Sequence, residues 1–195
     1  MRSFKIIIGI LSLWIFSVSL NAKSFVLDNQ GILVEKTTDF MEILSLEVYE
    51  KSGVRMYVVA LEDLGDMSLQ EREQTYTKGL KEPYLVLFFV KNNKKIDIIT
   101  SKSVETMFDK RAVYWDYIVP LIPLKDEELT QQNISAFLLN GFVDIADRIA
   151  EFHKIELEHN FPKQNKGVQI ATRMTLYVMM FVLLVLFLFV YLRRK

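Results

Sequence analysis

Residues 81–90 read KEPYLVLFFV, followed by the basic loop KNNKK and then IDIIT. The apolar run YLVLFFV has seven residues, far short of the ~20 that a membrane helix needs. Its apolarity is continuous rather than alternating, as expected of a strand covered on both faces. Pro83 stands just before it, where no ladder donor is lost. KNNKK then supplies a hairpin loop, and KIDIIT returns antiparallel with alternating polarity. The stretch reads as the central strand of a layered α/β domain.

Working outward, EKTTDFMEILSLEVYEKSG carries Phe40, Met41, Leu44 and Val48 on one helical face, which Ile43 and Leu46 widen. Ser52-Gly53 stops that helix. VRMYVVAL reads as a buried strand and EDLGD as a turn. SLQEREQTYTKGL reads as an exposed helix, with a capping-box pattern at Ser68 and Glu71 and closure at Gly79. On the other side, SKSVETMFDKRAVYWDYIVPLIP holds one or two short helices ending at Pro120 and Pro123. The last helix is marked by Ile134, Phe137, Leu138, Gly141, Phe142, Ile145, Ala146 and Ile149. The order is helix, strand, helix, strand, strand, helices, long helix. That is a layered α/β domain, with a small mixed sheet and helices packed on it, over residues 23–155.

The ends differ from the middle. MRSFK and an apolar run of about 15 residues resemble a secretory signal or signal anchor over 1–22, with Ala22 a usable cleavage position. After a polar linker, 156–173, the stretch 174–192 contains no charge. As a helix it spans about 28 Å, close to the ~30 Å hydrocarbon core. Tyr177 and Tyr191 stand near its ends, where such rings prefer the interface. Arg193, Arg194 and Lys195 form a basic tail. These signals predict an inner-membrane protein with the middle domain in the periplasm and the C-terminus in the cytoplasm. The lipid bilayer is then one partner.

Formal net charge is zero, so nothing points to nucleic acid. There is no cysteine, which excludes disulfides, thiolate nucleophiles and Cys-based metal sites. No G-x-S-x-G, P-loop or G-x-G-x-x-G occurs. His153 and His159 read as solvated polar residues. Asn133-Ile134-Ser135 fits the N-glycosylation triplet but falls inside a predicted helix. Asp28, Asp63, Asp66, Asp97, Asp109 and Asp116 lie in or beside predicted turns. They show no spaced calcium-loop array and read as solvated carboxylates. Phe88, Phe89, Trp115 and Tyr117 read as core, whereas Phe108 and Tyr114 flank Asp109 and are placed to rim a cleft.

Three pieces resemble the TPM domain family, which includes thylakoid-lumen phosphatase-like and MOLO-type proteins. They are FVLDNQGILVEKTTDFMEILSLEVYEKSGVRMYVVALEDL, YLVLFFVKNNKKIDI and YIVPLIPLKDEELTQQNISAFLLNGFVDIADRI. The resemblance runs from about Phe25 to Glu151 and implies a three-layer α/β fold outside the cytoplasm. Some members are associated with acid phosphatase activity, some with Ca²⁺ binding, and some with assembly or repair of membrane complexes. Asp28 matches the family's opening aspartate and Asp109, loosely, a later one; with Asp116 they are the candidate ligands for Ca²⁺ or Mg²⁺. The chain departs from the family in two turns. Lys81-Glu82-Pro83 stands where an acidic, glycine-containing turn is usual. Thr100-Ser101-Lys102-Ser103 replaces a glycine-rich turn that lets backbone approach an ion closely. The leading expectation is therefore a membrane-tethered module that binds or assembles membrane or envelope proteins. The alternatives are a divalent-metal phosphatase and an anion sensor using Lys81 and Lys102, with Lys94 and Lys95.

Overall fold

The computed structural model describes residues 24–159, 174–185 and 187. The signal segment and basic tail lie outside the described residues, as do most of the linker and the end of the apolar stretch. The chain divides into a unit up to Ile155 and a second from Glu156. In the second unit residues 174–185 are helical, with exposed apolar side chains. Among the described residues, no helix is long and apolar enough to cross a membrane.

The first unit is built on a four-stranded sheet in the order β1-β2-β3-β4. The strands are β1 (Val26–Asn29), β2 (Arg55–Leu61), β3 (Tyr84–Val90) and β4 (Lys95–Thr100). β1 and β2 are parallel, as are β2 and β3, whereas β3 and β4 form the expected antiparallel hairpin. β3 is buried from Leu85 to Val90 because both faces are covered. Phe88 packs edge-on against Tyr76 of α2 (Leu69–Thr77) on one face, their centroids 5.9 Å apart. Phe89 meets Phe137 of α4 (Gln131–His153) on the other, at 5.6 Å. This is the physical source of the continuous apolar run: alternate side chains serve opposite layers.

α1 (Glu35–Ser52) packs beside α4 on that second face. Gly53, at φ 77°, ends α1 in the left-handed region, and its N–H bonds back to Tyr49. The buried face of α1 is narrower than its sequence suggests. Ile43 and Leu46 remain 47 and 48% exposed, because α4 covers only the stripe through Met41, Leu44 and Val48.

Three further expectations need correction. β1 is a fourth strand that the pattern did not reveal, being short and half polar. α2 is not a free exposed helix. Its capping box at Ser68 and Glu71 is present, yet Leu69 and Tyr76 pack on the sheet over Tyr57, Val59, Val86 and Phe88. Finally, Pro120 does not end a helix. α3 (Lys110–Val113) runs into a wide i→i+5 turn over Tyr114–Ile118 and then a 3₁₀ turn over Val119–Leu121 that contains it.

The α4 stripe is buried as expected, and Gly141 is needed within it. A Cβ there would stand 2.7 Å from Ile118 Cδ1. That close approach seats Ile118 in the core.

Candidate functional site

Asp28, Val59, Phe88 and Asp97 lie opposite one another across all four strands. α2 crosses this row. Tyr76 donates its hydroxyl to Asp28 Oδ2 at 2.6 Å. Burial first, then the hydrogen bond and charge of Asp28, push the Tyr76 phenol up to about 12. One turn earlier, Glu73 meets Asp97. Glu73 Oε1 is buried, and among the described residues no donor reaches it. Its carboxyl is pushed up to about 7 by burial, then by the Asp97 charge and hydrogen bond. A proton on Glu73 lets it donate to Asp97, so the pair works as one carboxyl and one carboxylate.

Asp109 and Asp116 stand elsewhere, on the α4 side. Asp109 caps α3, accepting from Arg111 N at 2.8 Å and Ala112 N at 3.3 Å. Asp116 is exposed in the wide turn. The charged partner on this side is Arg148, whose Nε donates to the buried Asp144 at 2.5 Å. Burial works against the Arg148 charge. The Asp144 hydrogen bond and charge outweigh it, with Tyr117 and Asp109 adding to them, so its pKa rises.

Asp28 therefore does not meet Asp109 and Asp116, and each of the first two already serves a donor. Among the described residues, no three His, Asp or Glu side chains gather as metal ligands. The three aspartates do not fit a shared Ca²⁺ or Mg²⁺ ion, which takes several convergent oxygens.

Lys81 and Lys102 are exposed and occupy neighbouring turns at one end of the β3–β4 hairpin. Ser101 Oγ accepts from Tyr84 N at 3.1 Å, and Ser103 Oγ donates to Glu82 at 3.2 Å. Glu82 thus places a carboxylate at the join of the turns, which opposes an anion there. Lys94 is separate and ion-paired with Asp126 at 2.6 Å. The glycosylation triplet is engaged inside α4: Ser135 is buried, its Oγ accepting from Val34 N at 2.9 Å.

Two grooves lie beside β4. One groove of about 240 Å³ is lined by Ile96, Asp97, Ile98, Lys110, Arg111, Tyr114 and Trp115. A second, of about 210 Å³, lies among Phe89, Ile96, Tyr114, Phe137 and the Ile122–Leu124 loop. They share Ile96 and Tyr114 and so form one furrow. Trp115 is 57% exposed, and Leu124 is fully exposed.

Trp115 is thus not core. In an ordinary helix, residues three apart share a face. The wide turn breaks that relation, so Ile118 is buried while Trp115 points out. The Tyr114 half of the expected cleft is present, but Phe108 lies away from the furrow, lining a separate depression with Arg148 and Phe152. Lys110 and Arg111 carried no sequence signal. Only the capping geometry at Asp109 hints that a short helix presents them.

No protein-family model matches the chain, and no curated protein does. A solved structure shares the fold of the first unit. The N-terminal domain of a protein from P. gingivalis superposes with a TM-score of 0.56 at 15% identity, covering 72% of this chain and 91% of that one. The BA42 protein of Bizionia argentinensis gives a TM-score of 0.44 at 14% identity, covering 66% and 93%. The first unit therefore belongs to the class of mixed α/β domains with a four-stranded sheet flanked by helices.

Proposed function

We propose that this chain is a membrane-tethered, TPM-like module of the inner membrane that binds or assembles a membrane or envelope protein on its periplasmic side. The furrow beside β4 carries this reading. It joins two grooves, an exposed tryptophan and a fully exposed leucine on one unpaired edge of the sheet. Aromatic side chains in such settings are the usual anchors of protein interfaces. The basic N-terminus, the uncharged 174–192 stretch and the basic tail support the tether and its orientation.

A photo-crosslinking residue at position 115 of the full-length chain, in its own membrane, tests the reading. A discrete crosslinked protein is expected at 115 and not at the exposed α1 position 46. Equal labelling at both positions, or none, overturns it. An alkaline phosphatase fusion after residue 165 is expected to be active; a silent fusion overturns the orientation.

A further inference from the structure

Three observations meet in the groove next to β4. The first is the strand edge. β4 pairs with β3 and, among the described residues, has no strand on its other side. The Ile98 N–H is held by the carboxylate of its own neighbour Asp97, at 2.6 Å, rather than by another strand. Such an edge offers main-chain donors and acceptors to an added strand. The second is charge. Lys110 and Arg111 line the groove, and neither has an ion-pair partner among the described residues. Lys91 and Lys94, along the second groove, are paired with Glu62 and Asp126. The third is the aromatic wall, where Tyr114 and Trp115 stand edge to face at 5.2 Å.

We infer that this groove takes an extended segment of a partner protein in which acidic residues flank an aliphatic or aromatic one. The inference rests on the binding reading above and names the chemistry of the occupant. The segment's main chain adds to the outer edge of β4. Its carboxylates meet Lys110 and Arg111, and its apolar side chain lies on Trp115 over Ile96 and Ile98. Asp97 is the carboxylate lining this groove, and it opposes an acidic occupant. It is already engaged by Ile98 N–H and by Glu73, however, and the two cations without an ion-pair partner among the described residues line the same groove. A bilayer surface cannot enter a groove bordered by a strand edge, whereas an extended chain can.

The test uses the full-length chain in detergent micelles and the acetylated heptapeptide Glu-Val-Glu-Phe-Glu-Val-Glu. The same peptide with lysine for glutamate is the control. The chain has two tryptophans, so the Trp115 signal is the wild-type emission minus that of Trp115→Phe. The acidic peptide is expected to shift this emission to the blue and to saturate. Charge reversal in Lys110→Glu/Arg111→Glu is expected to weaken it by about tenfold or more while the lysine peptide gains affinity, with an unchanged Tm.

No saturable change up to about 1 mM, the weak end of specific binding, overturns the inference. Equal responses to both peptides do the same, as does a response to phosphatidylglycerol vesicles in place of the peptide. Dimerisation that abolishes the peptide response assigns the groove to a second copy and also overturns it. The crosslink at position 115 separates the two levels. A crosslink that survives charge reversal sinks the acidic-segment inference alone, whereas loss of any crosslink in the wild type sinks the binding reading itself.

Discussion

The two edges of the sheet are finished differently. At β1, Glu42 of α1 accepts from Phe25 N and Val26 N, both at 2.8 Å, and from Ser24 Oγ. That edge is held from within by one carboxylate on a helix packed against the sheet. At β4, Ile98 N–H has only the side chain of the preceding residue, and the furrow runs alongside. An open edge is a liability unless it is blunted or used. The closed edge reads as stability and the open edge as function, although both belong to one sheet.

The largest expected effect removes the support common to both edges. Phe88→Ala deletes the ring between β3 and α2 and is expected to cost about 3–5 kcal/mol in urea unfolding. A cost below about 1 kcal/mol, the level of a surface change, would show that α2 is not part of the core. Glu42→Ala is expected to cost about 1–3 kcal/mol, since it strands two partly buried N–H groups at β1. Hydrogen exchange should then speed up at Phe25 and Val26 and not at Ile98. Equal acceleration at both edges would erase the comparison. Asp109→Ala removes the cap that sets the helix bearing Lys110 and Arg111. It is expected to cost about 1 kcal/mol. Trp115→Ser is expected to change stability in urea unfolding by less than about 0.5 kcal/mol, because the ring is mostly in solvent.

A pH series sharpens the β4 side. Glu73 holds its proton more tightly when folded, at about 7 against an ordinary 4.5. Its contribution to stability is full below about pH 4.5 and is lost as pH rises through about 7. The Tm is expected to fall across that window in the wild type and to fall less in Glu73→Gln. Asp97→Asn should flatten the profile as well, since it removes the charge that opposes ionisation. Parallel profiles in all three proteins would separate Glu73 from β4.

Much of the fold was legible because its signals are local. YLVLFFV marked the covered strand, KNNKK the hairpin, Ser68 with Glu71 a helix start, and the Ile134–Ile149 stripe the long helix. β1 was not legible. Four half-polar residues carry too little pattern, and what makes them a strand is pairing with β2 and capping by a glutamate on another element. The candidate site was legible only in part. Tyr114 was marked as a cleft residue, but Trp115 was read as core with the other large aromatics, and the wide turn that points it outward has no local sequence pattern. Asp28 and Asp109 were taken as ligands because they match aspartates of the family the chain resembles, and a match in sequence order says nothing about which face of a sheet a side chain joins.

The sequence by itself determined the layered α/β class, the strand buried on both sides, the helix boundaries set by caps and glycines, and the apolar character of both termini. These follow from periodicity and local hydrogen bonding, which act over a few residues. Only the tertiary structure decided that Asp28 and Asp97 share a row under α2, that Glu73 faces Asp97, and that Asp109 serves a helix cap. It alone decided that Lys110, Arg111 and Trp115 stand beside an unpaired strand edge. Those arrangements depend on strand register, on the wide turn and on the packing of Ile118 against Gly141, all of which join residues that the chain keeps apart.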